Sequence, residues 1–200
     1  MKSDIVIRAA TRDDLTFIDH LQKLNAEELA FYPNVVFERE VENHRIILAL
    51  VGGLHAGYLY HGAFGATCKI HQACIEYDLR GQLYGSELVT FFVNLCKAAN
   101  THSVTLACGS DLLANQFWEN MGFHCEGITQ GGVRRMRDIN RWRKDIHPNM
   151  FKIEMPPSHK EKDASIWRNR KISAPSQFIR GKAMKDYRNE IVKAQEKESK

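Results

Sequence analysis

The residues best suited to chemistry lie together in Ile75-Glu76-Tyr77-Asp78-Leu79-Arg80-Gly81-Gln82-Leu83-Tyr84-Gly85-Ser86. A β-prone run ends there and a loop with two glycines follows. An amphipathic pattern then begins, with Leu88, Phe92, Leu95 and Ala99 in one stripe. That order suits an anion. The first N–H groups of a helix have no intrahelical partner, and the helix dipole adds partial positive charge. Glycine lets the backbone approach phosphate oxygens closely, and Arg80 and Ser86 are able to add donors. The same order also describes a plain connection between a strand and a helix, and the loop alone leaves both readings open.

The elements that must position this loop follow from periodicity. Ile5–Ala10 is a short strand. Thr11 and Asp14 resemble a capping box, and Leu15, Ile18, Leu21 and Leu24 recur at helical spacing, so a helix is predicted over about 12–30. Pro33 breaks it. Ile46–Val51, Gly52-Gly53 and Leu54–Tyr60 read as a hairpin, and Thr67–Tyr77 as a third strand. A helix over Ser86–Asn100 and a strand over Ser103–Cys108 come next. Asp111 then stands as N-cap of a short helix over Leu112–Met121, closed by Gly122, with a last strand within Val133–Trp142. Antiparallel hairpins followed by strand–helix alternation describe a mixed α/β, or α+β, domain over residues 1–146. Residues 147–200, with Pro148, Pro156 and Pro157 and little periodicity, read as a basic tail, flexible or partner-binding.

Charge is unevenly placed. Residues 1–132 carry 9 Lys/Arg against 15 Asp/Glu, whereas residues 133–200 carry 19 against 9. A basic end suits nucleic acid or another polyanion, and equally a solvated tail. Arg134-Arg135-Met136-Arg137 and Arg141-Trp142-Arg143-Lys144 interleave cations with an aromatic, which suits phosphate contact with base stacking. As an edge strand, the same charges would merely solvate one face. The longest apolar run, Ile46–Val51, is far short of the roughly 18 residues of a membrane helix, so no membrane partner is expected. Five scattered cysteines without a Cys-x-x-Cys pair fit a reducing compartment and argue against a zinc site or disulfide framework. With no apolar leader at Met-Lys-Ser-Asp, the expectation is a cytoplasmic protein.

Arg80-Gly81-Gln82-Leu83-Tyr84-Gly85 resembles the acyl-CoA-binding motif of the GNAT acetyltransferases, written Arg/Gln-x-x-Gly-x-Gly/Ala. Downstream, Ala114-Asn115-Gln116-Phe117-Trp118-Glu119-Asn120-Met121-Gly122-Phe123 is similar to that family's helix ending in an aromatic, three residues, then Gly-Phe. Together with the strand order, the resemblance covers roughly residues 5–146. It implies a GNAT fold, with a mixed, mostly antiparallel central sheet flanked by helices, and acetyl-CoA as acyl donor without a metal. It implies that the backbone of Gly81, Gln82, Leu83, Tyr84, Gly85 and Ser86 holds the pyrophosphate. It further implies that Ala73, Cys74 and Ile75 pair with the pantetheine arm, and that Trp118 lies along the CoA. Three positions depart from the pattern: Leu83 replaces a glycine, Asp111 an asparagine, and Trp118 the tyrosine that protonates the leaving thiolate. An indole N–H is not a usable acid for that step.

The resemblance implies acetyl transfer to an amine by direct attack, and the amine must lose a proton before it attacks. His71 is the first candidate base, on the strand where some members place a histidine relay, and its ordinary pKa suits the task. Glu76 is the second. Either residue is also readable as a sheet side chain making a structural hydrogen bond. Tyr58, Tyr60 and His61 suit an acceptor-side lining or a packed core, and the family places acceptor specificity in the early loop Phe31–Phe37. Two alternatives stay open. In one, a GNAT-fold protein modifies or binds nucleic acid through its basic end. In the other, a non-catalytic GNAT-like module serves assembly.

Overall fold

The computed structural model describes residues 4–132 and 137–146, and the expectations for the tail and for Arg134, Arg135 and Met136 lie outside them. Among the described residues, seven strands form one sheet in the order β1-β2-β3-β4-β5-β7-β6. They are β1 (Ile5–Ala9), β2 (Ile46–Val51), β3 (Leu54–His61), β4 (Thr67–Ile75), β5 (Ser103–Gly109), β6 (His124–Gln130) and β7 (Asp138–Asp145). The helices are α1 (Leu15–Leu24), α2 (Asn34–Glu42), α3 (Tyr84–Ala98) and α4 (Ala114–Asn120). β4 and β5 run parallel, and the other neighbours run antiparallel. The mixed, mostly antiparallel α/β expectation therefore holds.

The described chain divides into two compact units. The first comprises residues 4–60 and 72–88, and the second 61–71, 89–132 and 137–146.

In the first unit, β1 and β2 pair from Ile5–Val51 to Ala9–Ile47, and β2 turns into β3 at Gly52-Gly53. Both glycines have positive φ, +58° and +81°, which the tight turn requires. Phe17, Ile18 and Leu21 of α1 and Phe37 and Val41 of α2 pack with Ile46, Leu48, Tyr58 and Tyr60 in one apolar cluster. Tyr32, Phe37, Tyr58 and Tyr60 meet edge-on or tilted at ring separations of 5.3–6.3 Å, and such pairs add about 0.5–1.5 kcal/mol each beyond buried area.

Two expectations are corrected here. α1 ends at Leu24, not near 30, because Asn25 Nδ2 donates to Leu21 O at 2.8 Å and closes the helix with its own side chain. The early loop expected over Phe31–Phe37 is cut short, because Asn34–Glu42 is α2. Pro33 breaks the chain and then caps the new helix in an extended conformation, φ −62° and ψ 151°. The buried Glu40 on α2 is held by Arg39 and Arg45 at 2.7 and 2.9 Å.

In the second unit, β5 pairs with β4 on one side and β7 on the other. Leu106 and Trp142 sit opposite each other. α3 buries Val89, Phe92, Val93 and Cys96. The single late strand expected within Val133–Trp142 is replaced by a β6–β7 hairpin, and β7 lies inside the sheet while β6 forms its edge. β6 carries no strand signal in the sequence because His-Cys-Glu-Gly-Ile-Thr-Gln is exposed along nearly its whole length and shows no alternating apolar face. α4 begins at Ala114 with Leu113 as its N-cap. Asp111, expected in that role, lies 3.4 Å from Arg137 instead.

Candidate functional site

In the first unit, β4 ends at Ile75 and Tyr77–Leu79 forms one 3-10 turn. The chain then passes Gly81 at φ +77° and Leu83 at φ +69° before α3 begins. Both residues occupy the left-handed region, which suits glycine and costs a leucine roughly 1–2 kcal/mol. The first hydrogen bond of the helix runs from Glu87 N–H to Leu83 O at 3.0 Å. The N–H groups of Tyr84, Gly85 and Ser86 precede it, so they are the orphan donors of the helix end. Gly81, Gln82 and Leu83 are exposed, Gly85 and Ser86 half-buried, and Tyr84 buried. Leu83 itself is 63% exposed, so its side chain projects outward from the loop. Glu87, acidic in the first turn, already complements part of the positive helix end.

Arg80 does not hang free at the mouth of this loop. Its Nε donates to Ile75 O at 3.1 Å and its Nη2 to Asn25 Oδ1 at 2.7 Å, with Glu28 Oε2 3.4 Å away. The guanidinium also lies 5.6 Å from the Tyr77 ring centre. Gln82 Nε2 donates to Asp78 O at 3.1 Å, closing the loop on itself.

β4 carries the remaining candidates. Its parallel ladder with β5 runs from Thr67–Ser103 to Ile70–Leu106, and Ala73, Cys74 and Ile75 lie beyond the last of those pairs. Gly57 of β3 meets this stretch closely: a Cβ there would stand 2.4 Å from Cys74 O. Glu76, wholly buried, donates its backbone N–H to Ala56 O at 2.8 Å. His71, in the second unit, is half-buried, with Nε2 3.3 Å from the place a Cβ on Gly62 would take.

A buried polar chain, not anticipated from sequence, backs the first unit. Tyr58 OH donates to Gln72 Oε1 at 2.8 Å, and Gln72 Nε2 to Gln22 Oε1 at 2.9 Å and to Ala30 O. Gln22 in turn accepts from Tyr32 N–H at 2.8 Å and donates to Tyr32 O at 2.9 Å. Burial pushes the Tyr58 phenol well above its ordinary pKa, which keeps it a donor. Only two glutamines among apolar neighbours hinted at this chain. Tyr58 and Tyr60 thus belong to the core rather than to an acceptor lining.

His61 is equally buried in the second unit. Its Nδ1 donates to Gly62 O at 2.7 Å, and its ring lies 4.9 Å from those of Phe64 and Phe92. Trp118, 6% exposed, packs edge-on against Phe117 and Phe123. Asn115 Oδ1 accepts from Asn140 Nδ2 at 2.9 Å and Trp142 Nε1 at 3.0 Å, while its Nδ2 holds Gly109 O and Leu112 O. Trp142 is therefore a buried hydrogen-bonded residue, not a surface stacking platform. Among the described residues, no group of three or more His, Cys, Asp or Glu is placed to hold a metal ion, and no helix is long and apolar enough to cross a membrane.

The fold of the described residues is shared with solved GNAT acetyltransferases. Ard1 from Thermoplasma volcanium is 17% identical, with a TM-score of 0.65 over 72% of this chain and 99% of that one. The structure of yncA from Salmonella typhimurium with its cofactor acetyl-CoA is 15% identical, with a TM-score of 0.64 over 78% and 99% of the two chains. An acetyltransferase of the GNAT family from Streptococcus pneumoniae is 17% identical, with a TM-score of 0.61 over 72% and 100%. The chain has the GNAT fold. No family model matches the sequence, and no curated protein matches it.

Proposed function

We propose that this protein is an N-acyltransferase that moves an acetyl group from acetyl-CoA to an amine. The observation that carries the reading is the loop 80–86, where two left-handed residues turn the chain into the orphan N–H groups of α3. Such a helix end takes a pyrophosphate through backbone donors and needs no metal. The fold shared with acetyl-CoA-bound yncA supports that choice of ligand. The pantetheine arm takes the backbone of Ala73–Ile75, beyond the β4–β5 ladder. In the reaction, the amine nitrogen attacks the thioester carbonyl carbon, the C–S bond breaks, and CoA leaves as thiolate. A base accepts the amine proton, and the thiolate takes a proton from water, since Trp118 is buried and its indole is no acid. His71 is the better base: it keeps access to solvent, whereas Glu76 is wholly buried.

The test is release of CoA thiol from acetyl-CoA across a panel of small amines, amino acids and peptide N-termini. Amine-dependent release that falls by about 10²-fold or more in His71→Ala is expected for a lost general base. A protein that binds acetyl-CoA yet releases no thiol with any amine would refute the enzymatic reading.

A further inference from the structure

The segment 25–33, between α1 and α2, is tied down at both ends by side chains that belong to other elements of the first unit. At its far end, Gln22 brackets Tyr32 through both backbone groups, and Gln72 of β4 reaches Ala30 O. At its near end stands Arg80. One guanidinium spans two directions: Nε goes to the end of β4 at Ile75 O, and Nη2 to Asn25 Oδ1 at the end of α1. Glu28, one turn further along the same segment, adds a carboxylate at 3.4 Å. Asn25 is 3% exposed, and its other amide atom closes α1. The contact therefore lies at a structural joint rather than on a solvated surface. A rigid planar fork that bonds through separate nitrogens is a property of arginine that the single ammonium nitrogen of lysine does not share.

We infer that Arg80 is a positioning residue that fastens segment 25–33 to the loop 80–86, so that the two are ordered together. Its reach to Asn25 depends on its own backbone, which is extended at φ −67° and ψ 153° immediately before Gly81. Fixing Gly81–Ser86 on an anion fixes that backbone and thereby the clasp. By linkage, a fixed segment 25–33 in turn favours the loop conformation that holds the anion. Segment 25–33 carries Phe31, 61% exposed. The inference deepens the proposed function: acetyl-CoA held at the loop 80–86 would order the segment that exposes Phe31. It rests on that reading only for the identity of the anion.

Hydrogen exchange of the full chain, with and without CoA, tests both parts. In the ligand-free protein, Arg80→Gln and Asn25→Ala are each expected to speed exchange over 25–33 by about tenfold, the effect of losing one charge-assisted hydrogen bond. The double variant should add little further, and the β2 and β3 amides should stay as in wild type. Arg80→Lys should behave like Arg80→Gln. With CoA, wild type is expected to slow over both 80–86 and 25–33, whereas Arg80→Gln should slow over 80–86 alone. Additive single effects, rescue by lysine, or a general loss of protection would overturn the clasp. Loss of CoA binding in Arg80→Gln with retention in Asn25→Ala would make Arg80 a phosphate ligand and overturn it too. If CoA slows no region of wild type, the cofactor reading and the coupling to it both fall, while the ligand-free cycle still decides the clasp.

Discussion

Gly57→Ala is the change that tests the placement of β4 most sharply. A Cβ at Gly57 would stand 2.4 Å from Cys74 O, 2.5 Å from Ile75 Cδ1 and 3.0 Å from Ile75 Cα. Ordinary contact begins at 3.4 Å, so in a close-packed interior the Cys74 carbonyl must retreat by about 1 Å. The obstacle is backbone, not the end of a flexible side chain, and overpacking of this kind costs about 1–3 kcal/mol. Removing a glycine returns roughly 0.4–1 kcal/mol by restricting the unfolded chain. The net loss of about 1–2 kcal/mol converts to a fall in Tm of roughly 3–8 °C for a domain of this size. The displaced residues are also those assigned to the pantetheine arm, so acetyl-CoA affinity should fall further than stability alone explains. Thermal unfolding by circular dichroism, beside calorimetric titration with acetyl-CoA, reads both. A variant with wild-type Tm and affinity would refute the close approach of β3 to β4 and the assignment built on it.

Three further outcomes are expected. Asn115→Ala strips two buried donors, Asn140 Nδ2 and Trp142 Nε1, of their acceptor; at about 1–3 kcal/mol for each unsatisfied group, denaturant unfolding should show a loss of roughly 2–6 kcal/mol. Burial alone would raise the Asp14 carboxyl, but hydrogen bonds from Arg8, Thr11 and His55 hold it well below the usual carboxylate range. A lowered folded-state pKa contributes stability that is present above the unfolded value, near 3.8, and is lost as pH falls toward the folded one. Acid titrations of Tm should therefore be steeper in wild type than in Asp14→Asn, and equal slopes would remove Asp14 from the account. Residues 1–146 alone should give a folded protein that binds acetyl-CoA, and an insoluble product would make the tail part of the core.

What was legible in the sequence was what periodicity and glycine encode. The β2–β3 hairpin, α3 and the loop between β4 and α3 were predicted nearly to their ends, because Ile46–Val51, Gly52-Gly53 and the Leu88–Phe92–Leu95 stripe each have one consistent structural meaning. The edge strand β6 was not legible, since a strand exposed on both faces has no pattern to read. α2 was hidden behind Phe31-Tyr32-Pro33-Asn34, where a proline that reads as a helix breaker stands instead as the N-cap of the next helix. The site showed the same division. Gly81 and Gly85 named the loop, but no spacing rule announces that Arg80 turns back to Asn25, or that Gln22 and Gln72, fifty residues apart, share a hydrogen bond. Long-range polar contacts depend on the finished packing, and single-sequence patterns carry no trace of it. Trp142 shows the converse error: basic neighbours suggested a stacking surface, while its register opposite Leu106 buries it.

The most direct test of the central claim is calorimetric titration of the full chain with acetyl-CoA, beside the variant Gly85→Glu. That substitution places a carboxylate at the helix end assigned to the pyrophosphate, on a half-buried residue of the first turn of α3. The account predicts saturable binding by wild type and loss of binding by a variant that still unfolds cooperatively at a similar temperature. Absence of binding by folded wild-type protein, or undiminished binding by Gly85→Glu, would contradict it.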